Sequence, residues 1–130
     1  MKIIVKRIIE QSNDRVLIWF ETDFGSGAAE WDGETPKIGS KYFIEFGIND
    51  KFVWGENIRK SIEEKPLIDY KDKNLMIQGK VDQIYDDGVI VISLSPSNSI
   101  MLDLENTNFI KSGDFIEIIA NKVKLFNSNI

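Results

Sequence analysis

Phe43-Ile44-Glu45-Phe46 recurs as Phe115-Ile116-Glu117-Ile118, roughly 72 residues further along the chain. Two more pairs of segments match at the same offset: Ile9-Glu10-Gln11 with Val81-Asp82-Gln83, and Val53-Trp54 with Leu125-Phe126. Several matches in order at one offset indicate an internal duplication. We therefore predict a first β unit over residues 1–55 and a second over residues 74–130, with residues 56–73 between them.

Each unit is predicted to contain five short strands, because runs rich in β-branched and aromatic residues alternate with turn residues. The runs cover residues 2–10, 15–21, 30–32, 41–47 and 51–54 in the first unit, and 75–84, 89–94, 101–104, 115–120 and 122–126 in the second. Asp87-Gly88, between the first two runs of the second unit, is a strong hairpin signal. Each unit is below roughly 60 residues, where burial is marginal, so we expect the units to pack together.

A short helix is predicted over residues 56–65, between the two units. Ile58 and Ile62 are four residues apart and would share one helical face. Pro66 follows, and proline is common just beyond a helix end. Residues 69–74 are polar and are interpreted as a linker.

The second unit resembles the OB-fold in two stretches, Gly79-Lys80-Val81 leading to Asp87-Gly88-Val89, and Ser112-Gly113-Asp114-Phe115. The first unit fits this pattern less well, since Arg15 stands where the second unit has Gly88. The resemblance implies an all-β chain of two tandem five-stranded small barrels, OB or SH3-like; a duplicated β-sandwich is the alternative. OB-folds bind oligonucleotides, oligosaccharides or proteins, and the fold alone does not choose among them.

The composition excludes several kinds of chemistry. The chain contains no histidine and no cysteine, which rules out Ser-His and Cys-His catalysis and the usual zinc ligands. No catalytic motif is present, so we predict a protein that is not an enzyme and has no cofactor and no metal site. No apolar run approaches the roughly 18 residues of a membrane helix, and no signal-peptide core begins the sequence. We expect a cytoplasmic protein with no membrane association.

The charge distribution favours a basic partner. The net charge is −5, and an acidic surface repels phosphate backbones, so nucleic acid is an unfavourable ligand unless a local basic patch exists. In the first unit, acids and large aromatics occur close together in sequence. We predict a binding site for a basic protein there, made by Trp19, Glu21, Asp23, Phe24, Glu30, Trp31 and Asp32. An inhibitor or immunity-type protein is its most concrete form.

Two other interpretations stay open. An OB-type binder of oligosaccharide or single-stranded nucleic acid would use Trp19, Phe24 and Trp31 as stacking surfaces. These segments lack a basic groove, which counts against nucleic acid but not against sugar. The plainer interpretation places the acids at solvated hairpin ends and the aromatics in the core.

Overall fold

The structure is a computed structural model that describes residues 1–128. These residues form eleven strands: β1 (Lys2–Gln11), β2 (Val16–Thr22), β3 (Gly25–Asp32), β4 (Lys41–Ile48), β5 (Ile58–Lys60), β6 (Leu67–Lys71), β7 (Asn74–Ile84), β8 (Val89–Ser95), β9 (Asn98–Asp103), β10 (Phe115–Ala120) and β11 (Val123–Asn127). No helix occurs among them. The predicted all-β class is therefore confirmed.

Five strands close into a barrel in the order β11-β4-β1-β2-β3. Antiparallel ladders join β1 to β2 and β4, and β2 to β3. The last strand, β11, closes the circle, because it is antiparallel to β4 and parallel to β3. A closed five-stranded barrel is compatible with the resemblance to small OB-like barrels.

The remaining strands continue the same sheet outside this barrel. The ladders of the second half follow those of the first: β7 pairs with β8 and β10, and β8 pairs with β9. The second half also gains partners from earlier in the chain: β5, from the segment between the predicted units, pairs with β10, and Phe52 of the first unit forms a parallel bridge to Leu104. Strand pairing therefore crosses the predicted boundaries at residues 55 and 74 in both directions.

The prediction of two tandem barrels joined by a helix is wrong. The described residues contain one closed barrel with outer strands. The reason is that β11, a strand of the second half, pairs with β3 and β4 and closes the barrel of the first half. The predicted helix is replaced by turns and the short strand β5, whose ladder with β10 satisfies its backbone. Ile58 is buried in the core, whereas Ile62 is 99% exposed, so the two side chains do not share an apolar face.

A single apolar core runs through both halves. Its fully buried members include Phe20 and Ile44 from the barrel and Ile77, Ile92 and Ile118 from the outer strands. The strand β6 connects the two parts, lying parallel to β3 on one side and antiparallel to β7 on the other.

The junction between β3 and β6 requires glycine at one position. Gly25 has a φ of 139°, and a Cβ atom there would lie 1.8 Å from the carbonyl oxygen of Ile68. The Ile68 N–H in turn donates to the carbonyl oxygen of Phe24 at 2.9 Å. This close approach fixes β6, and with it the outer strands, against the barrel.

Candidate functional site

The seven predicted site residues are distributed along β2, β3 and the turn between them. Trp31 lies inside the barrel and is only 4% exposed. Its indole Nε1–H donates to the carbonyl oxygen of Glu34 at 2.7 Å, and its ring meets Tyr42 edge-on. Trp31 is therefore a core residue that fixes the β3–β4 loop, and it presents no surface for binding.

The turn between β2 and β3 carries two of the predicted residues. Asp23 is exposed, whereas Phe24 packs partly against the core. The turn is closed by Thr22, whose hydroxyl donates to the carbonyl oxygen of Gly25 and accepts from the Phe24 N–H. Asp32 lies at the other end of β3, roughly 23 Å away at the usual rise per residue. These residues do not form one patch.

Two of the predicted acids are paired with lysines. Glu21 lies 3.2 Å from the Lys6 ammonium, and Glu30 lies 3.7 Å from that of Lys124. Both pairs are partly exposed, so each contributes little to stability. Their effect here is to reduce the negative charge on the outer face of β2 and β3.

Trp19 points outward from the barrel and is partly exposed. The Arg7 guanidinium lies over its ring at 5.5 Å from the centroid, a cation–π arrangement. Tyr70 of β6 meets the same ring edge-on at 5.6 Å. The Trp19 ring therefore lies between Arg7 of β1 and Tyr70 of β6, the strand that connects the barrel to the outer strands.

A cleft of about 960 Å³ opens around Trp19. Its floor is apolar and includes Leu17, Ala28 and Leu75. Its charged lining has five basic residues, Arg7, Arg15, Lys73, Lys122 and Lys124, against the two acids Glu10 and Glu30. The cleft is thus locally basic on a chain whose net charge is −5.

Lys122 and Lys124 belong to the cleft because β11 closes the barrel beside β3. The sequence did not predict these two lysines as site residues, because the pairing of β11 with β3 is long-range. The match of Leu125-Phe126 to Val53-Trp54 indicated a fifth strand, but nothing in it indicated which half that strand would complete.

A second, smaller recess of about 360 Å³ lies at the end of the barrel, between the β1–β2 turn and the β3–β4 loop. Gln11 Nε2 donates to the Thr35 hydroxyl across it at 2.8 Å. Its lining contains the acids Asp14, Glu30, Asp32 and Glu34, and the bases Arg15 and Lys124. We call this feature the acidic recess.

Both bases of the acidic recess already have carboxylate partners. Arg15 Nε donates to a Glu10 carboxylate oxygen at 2.6 Å, and this hydrogen bond raises the pKa of Arg15 above its ordinary value. Lys124 faces Glu30. By contrast, Asp14, Asp32 and Glu34 are exposed and form no ion pair with any other residue in the described part of the chain. The recess therefore carries uncompensated negative charge.

Within residues 1–128, no three acidic side chains are placed to hold a metal ion. The same residues contain no helix of the length and apolarity needed to span a membrane. Comparison with protein families, curated proteins and solved structures finds no match. The site must therefore be interpreted from its own geometry.

Proposed function

We propose that the protein is a non-enzymatic binding module, built on an OB-type barrel, that engages a basic protein partner. The observation that carries the proposal is the acidic recess, where Asp14 lies in the β1–β2 turn, Asp32 ends β3 and Glu34 lies in the β3–β4 loop, which is hydrogen-bonded to the end of β1. Fixed charges of one sign accelerate encounter with an oppositely charged partner and suppress like-charged ones. An inhibitor or immunity-type role fits this arrangement. In that role the surface that contains the acidic recess would cover the basic active site of the partner. We place this role in the cytoplasm.

Affinity capture from a nuclease-treated lysate tests this proposal. The wild-type protein is compared as bait with the triple variant D14N/D32N/E34Q and with the control triple variant E45Q/E64Q/D72N, which neutralises three exposed acids elsewhere. We expect basic proteins, identified by mass spectrometry, to be retained by the wild type and by the control but lost by the recess variant. Equal recovery on all three baits would contradict the proposal.

The basic cleft favours a second candidate, an OB-type binder of single-stranded nucleic acid. Arg7, Lys73 and Lys122 line the cleft and form no ion pair among the described residues. Surface charges are screened within about 8 Å at physiological salt, so these cations can contact a phosphate backbone despite the net charge of the chain. An oligosaccharide would instead use the apolar floor beside Trp19.

Fluorescence anisotropy with a labelled oligothymidylate tests the second candidate. We expect binding that weakens steeply with salt and that is reduced in K73Q/K122Q, while the control K2Q/K41Q, at exposed lysines outside the cleft, retains it. Absence of binding at low salt would exclude nucleic acid. Binding of a neutral oligosaccharide that survives K73Q/K122Q but is lost in Trp19→Ala would assign the cleft to sugar.

A further inference from the structure

An aromatic pair, one ring from each half of the chain, lies outside both the acidic recess and the basic cleft. Trp54 and Phe109 stack with their ring centroids 5.5 Å apart and their planes 14° from parallel. Trp54 is partly buried against the core, whereas Phe109 is 51% exposed. We call these two residues the stacked pair. An aromatic ring that remains half exposed has surface available for a partner.

The stacked pair is held in place by short-range bonds in both loops. Asn57 spans the first loop, since its Oδ1 accepts from the Val53 N–H at 2.8 Å and its Nδ2 donates to the carbonyl oxygen of Lys51 at 2.9 Å. In the second loop, the Asn108 N–H donates to Asn106 Oδ1 at 2.9 Å, and the neighbouring Ile110 is buried. Because the rings are already ordered, a partner would lose little side-chain entropy on contact.

Four exposed acids lie on the segments next to the stacked pair: Glu56, Asp87, Asp103 and Glu105. We call them the acidic rim. The Phe52 backbone joins two of them to the segment of Trp54, because its N–H donates to the carbonyl oxygen of Asp103 and its carbonyl oxygen accepts from the Glu105 N–H. The Leu104 N–H donates to the carbonyl oxygen of Gly88, which brings the turn containing Asp87 to the same side.

The charge of this surface is negative, because the four rim acids outnumber the two lysines on the same loops. None of the four rim acids forms an ion pair with another described residue. The nearby bases are Lys51 and Lys111, on the same two loops. An aromatic face with carboxylates around it matches one side chain in particular. Arginine has a planar cation that stacks on aromatic rings and binds carboxylates through paired N–H groups.

We propose that the stacked pair and the acidic rim form a docking surface for an arginine-bearing segment of a protein partner. This inference rests on the proposed function insofar as both require a basic protein, but it assigns the apolar anchor to Trp54 and Phe109. The guanidinium lies on the exposed face of Phe109, and the rim carboxylates accept its N–H groups. In the predicted first-half site, Trp31 cannot serve as such an anchor because it is buried.

The test is an NMR titration of the isotope-labelled full chain with a synthetic peptide of alternating arginine and glycine. A peptide with lysine in place of arginine is the matched probe. We expect the largest shifts at the Trp54 indole N–H and at the backbone amides of Gly55 and Phe109. We also expect tighter binding of the arginine peptide, and F109S to weaken it by about fivefold. I38S, which removes an exposed apolar side chain of the first half, should leave binding unchanged.

The outcomes separate the two proposals. Shifts confined to Asp14, Asp32 and Glu34 would overturn the docking surface while supporting the acidic recess. Shifts at Trp54 that are equal for both peptides and unaffected by F109S would also overturn it, since charge alone would then explain them. No shift anywhere at low salt would count against both proposals. A thermal melt confirms that each variant is folded.

Discussion

Leu125, near the C-terminus, lies beside Trp31 in a parallel ladder, so the barrel begun by the first strands is closed by the last. Leu125 is completely buried, and its antiparallel neighbour on the other side is Phe46. The reverse exchange places Phe52 against Leu104 and Ile58 against Ile118. Each half of the chain therefore completes the sheet of the other.

The first prediction concerns Leu125→Ala. The substitution removes buried methyl groups at the point where β11 joins the barrel, so we expect the free energy of unfolding to fall by about 2–5 kcal/mol. Urea denaturation followed by circular dichroism measures this change. Ile38→Ala, at a side chain 62% exposed, is the control and should change stability little. A loss below about 1 kcal/mol for Leu125→Ala would mean that β11 is not needed to close the barrel.

The exchange of strands between the two halves also predicts that the halves unfold together. A fragment of residues 1–65 lacks β11 and leaves the edges of β3 and β4 unpaired, so we expect it to have no cooperative melt. The full chain should show one calorimetric transition, with equal calorimetric and van't Hoff enthalpies. Two separate transitions, or a fragment with dispersed amide resonances, would show that the halves are independent.

The sequence predicts most of the strands but not their connectivity, for a physical reason. Two local expectations were also wrong, since residues 51–54 form only isolated bridges and residues 69–71 belong to β6 rather than to a linker. Runs such as Phe43–Phe46 and Phe115–Ile118 are rich in β-branched and aromatic residues. This local preference for strand structure determines where strands form. Which strand closes a barrel depends on long-range packing. Val53-Trp54 and Leu125-Phe126 are equally suited to either half by pattern alone. Ile58 and Ile62 have helical spacing, yet pairing of Ile58 with Ile118 overrides that local signal.

The two tryptophans of the predicted site should respond differently to alanine. Trp31 is buried and bonded to the Glu34 carbonyl oxygen, so Trp31→Ala should cost about 3–5 kcal/mol of stability. Trp19→Ala removes a partly exposed ring and should cost less. Chemical denaturation of both variants measures the difference. Equal costs would contradict the assignment of Trp31 to the core and Trp19 to the cleft.

The predicted site shows the same division between local and long-range information. Asp23 and Asp32 were predicted to share a site because they are close in sequence. In the structure they lie at opposite ends of β3. Alternation along β2 places Trp19 on the face opposite Ile18 and Phe20, but the burial of Trp31 in the core was not predicted. Alternation could not supply Lys122 or Lys124, which reach the cleft only through the strand exchange.

A matched pair of glycines tests how β6 is held against the barrel. In Gly25→Ala the new methyl group would overlap the carbonyl oxygen of Ile68 at 1.8 Å, so we expect a loss on the order of 3 kcal/mol or more. Gly39 also has a positive φ, 85°, but a Cβ there meets no atom within 4 Å. Gly39→Ala should therefore cost only about 1–2 kcal/mol. Comparable losses would mean that backbone strain alone, and not contact with β6, determines both results.

The last prediction concerns the rate at which a captured basic partner binds the acidic recess. D14N/D32N/E34Q removes three exposed charges without shortening any side chain, so we expect the association rate constant to fall on the order of tenfold at low salt. Dissociation should change less, because steering charges act mainly before contact. Stopped-flow measurements over a range of ionic strength test this. The control E45Q/E64Q/D72N removes the same total charge elsewhere. A similar slowing in both variants would show that net charge, and not the recess, directs the encounter.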